Sequence, residues 1–355
     1  MSEGGRGGVT IVDVARAAQV STATASRALG GYGRISAATR ERILAVADEL
    51  GYRPNDLARA VRVGRSSTIG LVVTDLANPF FAQATRAVVD TASALGYEVL
   101  IANTGEDAAA ERRAVRVFAE KRVRGLVVVP SAGADHGHLF RPDGRPHLPL
   151  VLLDRRLPGR SAATVISDDL GAAREAVGLL AGRGHTAIGM IDGNSTVPGV
   201  SRDAPAGLVS AAADRVEGFL AGLRDAGLEA RRDWMLYATA AEPGAAEEAA
   251  LALLGSRDRP TAVVANNSDV ALAVVMACNR LGLAIGRDVA LIGFDDASWT
   301  RAFTPAISVV ARPVAGLGEA AVRELAAQMA GRPAASEPIV LPNRLVDRPS
   351  AAPRR

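Results

Sequence analysis

The 355-residue chain is too long for one compact core, and 48% of its residues are hydrophobic, which points to two or three domains with substantial cores. Its formal net charge of +3 excludes a uniformly basic nucleic-acid coat. The excess is local, because residues 1–63 carry nine Arg against six Asp and Glu; the basic end is the N-terminal end, where phosphates would be met. The start MSEGGRGG has no apolar segment behind it and no later window has the apolar run of a membrane helix, so the chain is expected to be soluble and cytoplasmic.

Val9 to Leu29, VTIVDVARAAQVSTATASRAL, reads as two short helices joined by the turn Ala18-Gln19-Val20. Thr10 and Asp13 stand at capping-box spacing, and Ile11, Val14, Ala15 and Ala18 share one apolar side. Ser21 is placed to cap the second helix, with Thr22, Ala23, Ser26 and Arg27 outward and Ala25, Ala28 and Leu29 packed back. Small side chains let such a helix sink into a major groove, and Arg27 has the forked donors to read a guanine. Short Ala-rich helix pairs also occur in ordinary globular cores, so the stretch alone does not decide between the two. After GGYGR, Ser36 caps a third helix over Ala37 to Leu50 with Ile43, Leu44, Ala47 and Leu50 inward, and Gly51 closes it. Tyr52 to Arg62 offers two more helical turns, too short to be stable alone in water.

Beyond the polar stretch 64–68 the texture changes to βαβ. Apolar runs at Ile69 to Thr74, Tyr97 to Ala102, Gly125 to Val129 and Leu150 to Leu153 alternate with helical segments at Phe80 to Leu95 and Ala108 to Arg122. The pattern restarts with strands at Val165 to Ser167, Ala187 to Ile191, Trp234 to Tyr237, Ala262 to Ala265 and Val289 to Gly293. The helices between them run over Leu170 to Ala181, Ala213 to Ala226, up to Leu254, and Val270 to Leu281. The fold class is therefore α/β: a three-helix headpiece, then two doubly wound lobes with a cleft at the carboxyl ends of their strands. Cys278, the only cysteine, lies in an apolar helical pattern and is expected as a buried thiol.

The segments VTIVDVARAAQVSTATASRAL, GYRPNDLARAVR, IGLVVTDLANPFF, KRVRGLVVVP, LLDRR, GHTAIGMI, DRVEGF and VALIGFDD stand in an order and spacing that resembles the LacI/GalR family of bacterial transcriptional regulators, over residues 9 to about 349. The resemblance implies a helix-turn-helix headpiece at 1–63, including a hinge helix at about 54–62 that folds on operator DNA. It implies an effector and dimerisation domain at 64–355, similar to periplasmic sugar-binding proteins, with lobe 1 at about 66–164 and 312–337 and lobe 2 at about 165–311 and 338–355. The expected protein is a homodimeric, ligand-responsive repressor of a carbohydrate-utilisation operon on a pseudo-palindromic operator; the alternative is the same fold answering a non-sugar or acidic effector or acting as an activator, with the sign of the ligand response left open. No enzymatic activity, cofactor, metal or membrane partner is implied.

Position by position, Thr22 and Ala23 stand where the family reads bases, Arg27 matches its arginine, and Ser21 and Thr24 resemble its phosphate contacts; Arg34 joins the DNA-binding set. In the hinge Asn55 and Ala58 match, whereas Val61 replaces a leucine that wedges into the central minor-groove step. Asp75, Asn78, Phe80, Asp154, Arg155, Arg215, Asn267 and Asp295 fall after predicted strands or near helix starts. Carboxylates, amides and guanidinium forks there suit vicinal hydroxyls, and an aromatic face suits a sugar ring. Each could equally be a cap or a strand-end ion pair. Thr239 stands where the family commonly has an aromatic and Arg312 where it commonly has glutamine, which implies a less aromatic, more positive pocket fit for a substituted or acidic sugar. The segment from Asn194 to Ala213, rich in Gly, Ala, Pro and Ser, reads as a surface loop.

Other functional classes fit less well. A solute-binding protein for uptake needs export and no headpiece. An enzyme on this sheet would lack G-x-G-x-x-G, G-x-x-x-x-G-K and G-x-S-x-G. Asp135, His136, His138 and His147 cluster as if for zinc, but in a Gly- and Pro-rich stretch that reads as a loop. His185 is expected to be a structural hydrogen-bonder.

Overall fold

The computed structural model describes residues 9–30, 33–52, 67–133, 135–195, 199–203, 208–239 and 242–354. The chain divides into two units, Met1–Ser67 and Thr68–Arg355.

In the first unit, the helices among the described residues are α1 (Ile11–Ala17), α2 (Thr22–Gly30) and α3 (Ala37–Glu49). The Thr10 amide and hydroxyl both donate to Asp13 Oδ2, at 3.0 and 2.6 Å. Gln19 takes a left-handed φ of 50° and turns the chain between α1 and α2. Ser21 Oγ accepts from the Thr24 amide at 3.1 Å and Ser36 Oγ from the Thr39 amide at 3.2 Å, which satisfies donors that a helix start leaves open. Val14, Ala15, Ala18, Ala25, Ala28, Ile43 and Ala47 make the core. Leu44 and Leu50, expected inward, are 47% and 38% exposed. Ile43 and Ala47, one turn apart, define the inward face, and Leu44 lies about 100° round from it. The expected hinge, with Asn55, Ala58 and Val61, lies outside the described residues.

The second unit opens with β1 (Thr68–Val73), α4 (Pro79–Ala94), β2 (Glu98–Asn103), α5 (Ala108–Glu120), β3 (Leu126–Val128), β4 (Leu150–Leu153) and β5 (Ala163–Ser167). It continues with α6 (Asp169–Gly182), β6 (Ile188–Ser195), β7 (Val200–Ser201), α7 (Ser210–Asp225), β8 (Met235–Thr239), α8 (Ala245–Leu254), β9 (Ala262–Ala265), α9 (Ser268–Leu281), β10 (Ala290–Phe294), α10 (Ser298–Ala302) and β11 (Ser308–Ala311). It ends with α11 (Val314–Met329), β12 (Ile339–Leu341) and β13 (Arg344–Val346). One sheet is ordered β12-β5-β4-β3-β1-β2 and the other β13-β11-β10-β9-β6-β8-β7. Pairing is parallel except at β11/β13 and β7/β8 in the second sheet. Strands such as β1, β4 and β9 bury nearly every residue, as sheets covered on both faces require.

The expected lobe limits need correction. They put Val165 to Ser167 and residues 339–341 in the second lobe, yet β5 and β12 pair in parallel, Ile339 with Val165, at the edge of the first sheet. A continuous apolar run shows that a strand is buried but not which sheet takes it. The chain therefore passes between the sheets after Ser167, after Ala311 and after Leu341. The stretch from Asn194 to Ala213 is also not all loop: β6 runs on to Ser195, β7 pairs with β8, and α7 begins at Ser210.

Helices α6 and α7 approach closely because Gly218 has no side chain. A Cβ there would lie 2.2 Å from Leu170 O and 2.9 Å from Ala173 Cβ. Cys278 on α9 is fully buried, and burial pushes its thiol up to about 11. The thiolate is the reactive form, so native protein at pH 8 is expected to resist Ellman's reagent and to react once unfolded. Stoichiometric labelling of the folded protein would contradict this burial.

Candidate functional site

In the first unit, Ser21, Thr22, Ala23 and Arg27 of the α2 region are exposed, while Ala25 and Ala28 face the core. Thr24 is half-buried, its hydroxyl 2.8 Å from Ser21 Oγ. Gly33, at a φ of +77°, leaves room for the Arg27 stem; a Cβ there would come within 3.0 Å of Arg27 Cδ. Arg34 beside it is exposed. The face thus presents short side chains and one long guanidinium, the combination that lets a helix approach base edges closely.

In the second unit, Asp154 and Asp295 hold equivalent places at the ends of β4 and β10. Their amides donate to Val165 O and Val310 O, each at 2.9 Å. Both have positive φ, 68° and 71°, a conformation that the short, polar aspartate tolerates better than most side chains. Arg312, between β11 and α11, bridges them. Its Nη1 donates to Asp154 Oδ1 at 2.8 Å, and its Nε and Nη2 to Asp295 Oδ1 and Oδ2 at 2.7 and 3.1 Å. Its Cζ stands 3.4 Å from the centre of the Phe80 ring, a cation on an aromatic face. The three charged side chains are 4%, 6% and 8% exposed for Arg312, Asp154 and Asp295. Burial alone would push the guanidinium down, but Asp295 and Asp154 hold it above its ordinary value.

Two further buried pairs flank this bridge. Arg215 on α7 donates Nε and Nη2 to Asp169 Oδ2 at 2.9 and 2.6 Å, and Nη1 to Asn266 O at 2.6 Å. Burial works against the Asp169 carboxylate, but Arg215 holds it below its ordinary value. Arg155 donates Nη1 and Nη2 to Glu106 Oε2 and Oε1 at 2.9 and 2.7 Å. Asn78 and Asn267 cap α4 and α9, accepting from the Phe80 and Val270 amides at 2.9 and 2.8 Å. Asp75 is exposed and accepts from the Ala77 amide at 2.9 Å.

All eight residues expected to bind ligand come together around two adjoining cavities. Seven of them, all but Asp75, line a void of about 30 Å³ against Arg312. Asp75, Asn78, Arg155 and Asn267 line a chamber of about 720 Å³ with Glu106, Thr239, Glu242 and Asp269. The expectation of a more positive pocket is overturned: the Arg312 charge is matched by Asp154 and Asp295, and the chamber sets four carboxylates against the Arg155 guanidinium. Sequence reasoning missed Glu106, Asp169, Glu242 and Asp269 as site residues. Glu106 and Asp169 follow β2 and β5 directly, so the strand-end rule that selected Asp75 and Asp295 would have found them.

The histidine segment packs around an acid instead. His136 Nδ1 lies 2.8 Å and His138 Nε2 3.1 Å from Oε1 of buried Glu111, whose Oε2 accepts from the Ser131 amide at 2.7 Å. Among the described residues no group of three or more His, Cys, Asp or Glu is arranged to hold a metal ion. His185 bonds Thr261 Oγ1 and Ala352 O, both at 3.0 Å, a structural role. No helix among the described residues is long and apolar enough to cross a membrane.

Residues 10–55 match the family model of bacterial regulatory proteins of the lacI family, and residues 177–351 that of a periplasmic binding protein-like domain. The HTH-type transcriptional regulator DegA of Bacillus subtilis (strain 168) is 30% identical over 345 residues, 97% of this chain and 98% of its own. Among solved structures, the transcriptional regulator CelR–cellobiose complex is 26% identical with a TM-score of 0.70, covering 96% of this chain and 99% of its own. The Lac repressor dimer bound to operator and the anti-inducer ONPF is 24% identical and shares the fold, with a TM-score of 0.83 over 98% of this chain and 100% of its own.

Proposed function

Because the chain belongs to the LacI family of bacterial transcriptional regulators, we propose that it represses a carbohydrate-utilisation operon by binding a pseudo-palindromic operator as a homodimer, under the control of a small molecule in the interlobe cleft. DNA binding and transcriptional regulation follow from the family. The observation that carries it is the chamber of about 720 Å³ at the carboxyl ends of the two sheets' strands, lined by carboxylates and amides, where such sheets take small polar ligands. Dimerisation is supported by exposed apolar side chains at helical spacing on α9, Leu272 and Met276. Exposed Leu100 and Ile101 on the edge strand β2 add to it. Ligand that prefers one relation of the two sheets shifts the population toward it, and that shift is read out as a change in operator affinity.

The headpiece gives the first test. Arg27→Ala is expected to lower the preference for operator over random DNA by about 1–3 kcal/mol, the scale of one good base contact, measured by fluorescence anisotropy on both DNAs. Equal losses on the two would mean that Arg27 holds phosphate only. Light scattering in solution checks the dimer: a monomer at micromolar concentration would contradict it.

A further inference from the structure

The geometry points to an effector that carries a positive charge, held in the acidic chamber beside Arg312, which itself occupies the Phe80 face as a built-in ligand. The inference rests on the reading of this cleft as the effector site and adds the ligand's charge class.

The Phe80 face is taken. The Arg312 guanidinium lies 3.4 Å from the ring centre and bonds one oxygen of Asp154 and both of Asp295. The space left there is about 30 Å³, room for a few waters and too little for a sugar ring. A sugar ring could stack on Phe80 only by expelling Arg312, which would strand buried Asp295 and leave Asp154 only Arg155 Nε, at 3.9 Å. The ligand is left with the chamber of about 720 Å³, within the range of small-molecule sites.

That chamber is acidic. Of its charged lining, Arg155 is bidentate to Glu106, whereas Asp75, Glu242 and Asp269 enter no ion pair among the described residues. Desolvation, then the nearby Asp75 and Asp295 charges, push the Asp269 carboxyl up. Like charges gathered without a partner are relieved by a cation. Arg155 Nε makes no hydrogen bond and lies 3.9 Å from Asp154 Oδ2, so this guanidinium is turned toward other carboxylates and leaves those three unmatched. An ammonium group on a polyhydroxylated frame, as in an amino sugar, matches that charge, and its hydroxyls suit the amide side chains of Asn78 and Asn267 in the same lining. A larger cavity of about 1050 Å³ shares Ala132, Arg155 and Val209 with the chamber and is walled by Arg156 and Arg160. Those guanidiniums already face Asp214 and Asp135, at 2.6 and 3.6 Å, and of the eight expected residues it holds Arg155 alone.

The test is titration calorimetry on the full chain with matched panels: neutral pentoses and hexoses, their amino-deoxy counterparts, their uronic acids, and putrescine. Wild type is expected to bind an ammonium-bearing compound, at least about tenfold more weakly in Asp75→Asn or Glu242→Gln, which each remove one charge-assisted contact. Arg312→Gln is expected to gain neutral sugars. Should it not fold, the triple variant Asp154→Asn/Asp295→Asn/Arg312→Gln removes the three charges together and takes its place. Preference of wild type for neutral or acidic sugars, unchanged affinity in both carboxylate variants, or binding of no panel member overturns the inference. Operator binding in the same samples separates the two levels: DNA release by an uncharged or acidic sugar overturns the charge class alone, whereas operator binding that responds to no small molecule removes the effector reading beneath it.

Discussion

Arg312→Ala is expected to destabilise the Thr68–Arg355 unit by about 3–5 kcal/mol, read from urea unfolding, because it leaves Asp295 buried without a counter-charge and Asp154 with only Arg155 Nε, at 3.9 Å. The size reflects stranded carboxylates rather than the net worth of the pairs. The triple variant Asp154→Asn/Asp295→Asn/Arg312→Gln, which keeps polar groups of similar shape and no charge, is therefore expected to recover most of the loss. A single alanine variant within about 1 kcal/mol of wild type would show that the bridge between the two strand ends does not hold the lobes. The bridge joins residues from both sheets through one of the three crossings, so it bears directly on how the lobes are kept in register.

Arg215→Ala is the second large effect, again about 3–5 kcal/mol. Asp169 keeps Ser167 Oγ at 2.7 Å and Asn343 Nδ2 at 3.0 Å, which places the loss toward the lower end. The pH dependence has a fixed sign. Arg215 holds the Asp169 carboxyl below its ordinary 3.8 in the folded protein, so the stability it contributes is fully present above that pH and is lost as pH falls through the lower folded value. The gap between wild type and variant is expected to be full at pH 7 and to narrow below pH 3.8. A variant of wild-type stability that had lost only its ligand response would contradict a structural role and return Arg215 to the ligand.

These two arginines show where sequence reading stops. Most helix and strand spans in the second unit were legible, because apolar runs bounded by Gly, Pro and polar caps leave few alternatives; β4 and β9 match the expected ranges residue for residue. The strand-end rule brought all eight candidate residues to the cleft. It could not separate ligand contacts from ion pairs, since the partner of Arg312 lies 158 residues away at Asp154 and that of Arg215 lies 46 away at Asp169. For the same reason the pocket's charge was misread: an arginine counted alone looks positive, and only the fold supplies its carboxylates. Sheet membership of β5 and β12 was hidden by the same gap between local pattern and long-range pairing. In the headpiece the α2 face was legible because Ala25 and Ala28 mark its buried side. Leu44 was misplaced because α3 buries a narrower stripe than its apolar content suggests.

Selection of DNA from a random-sequence pool by the purified 355-residue chain tests the central claim most directly. Enrichment of one inverted-repeat sequence, lost when the selection is repeated with Arg27→Ala and changed when the effector is present, is the expected result. A pool that stays random, or that enriches equally with wild type and Arg27→Ala, would contradict the claim that residues 9–30 read an operator under the control of the cleft.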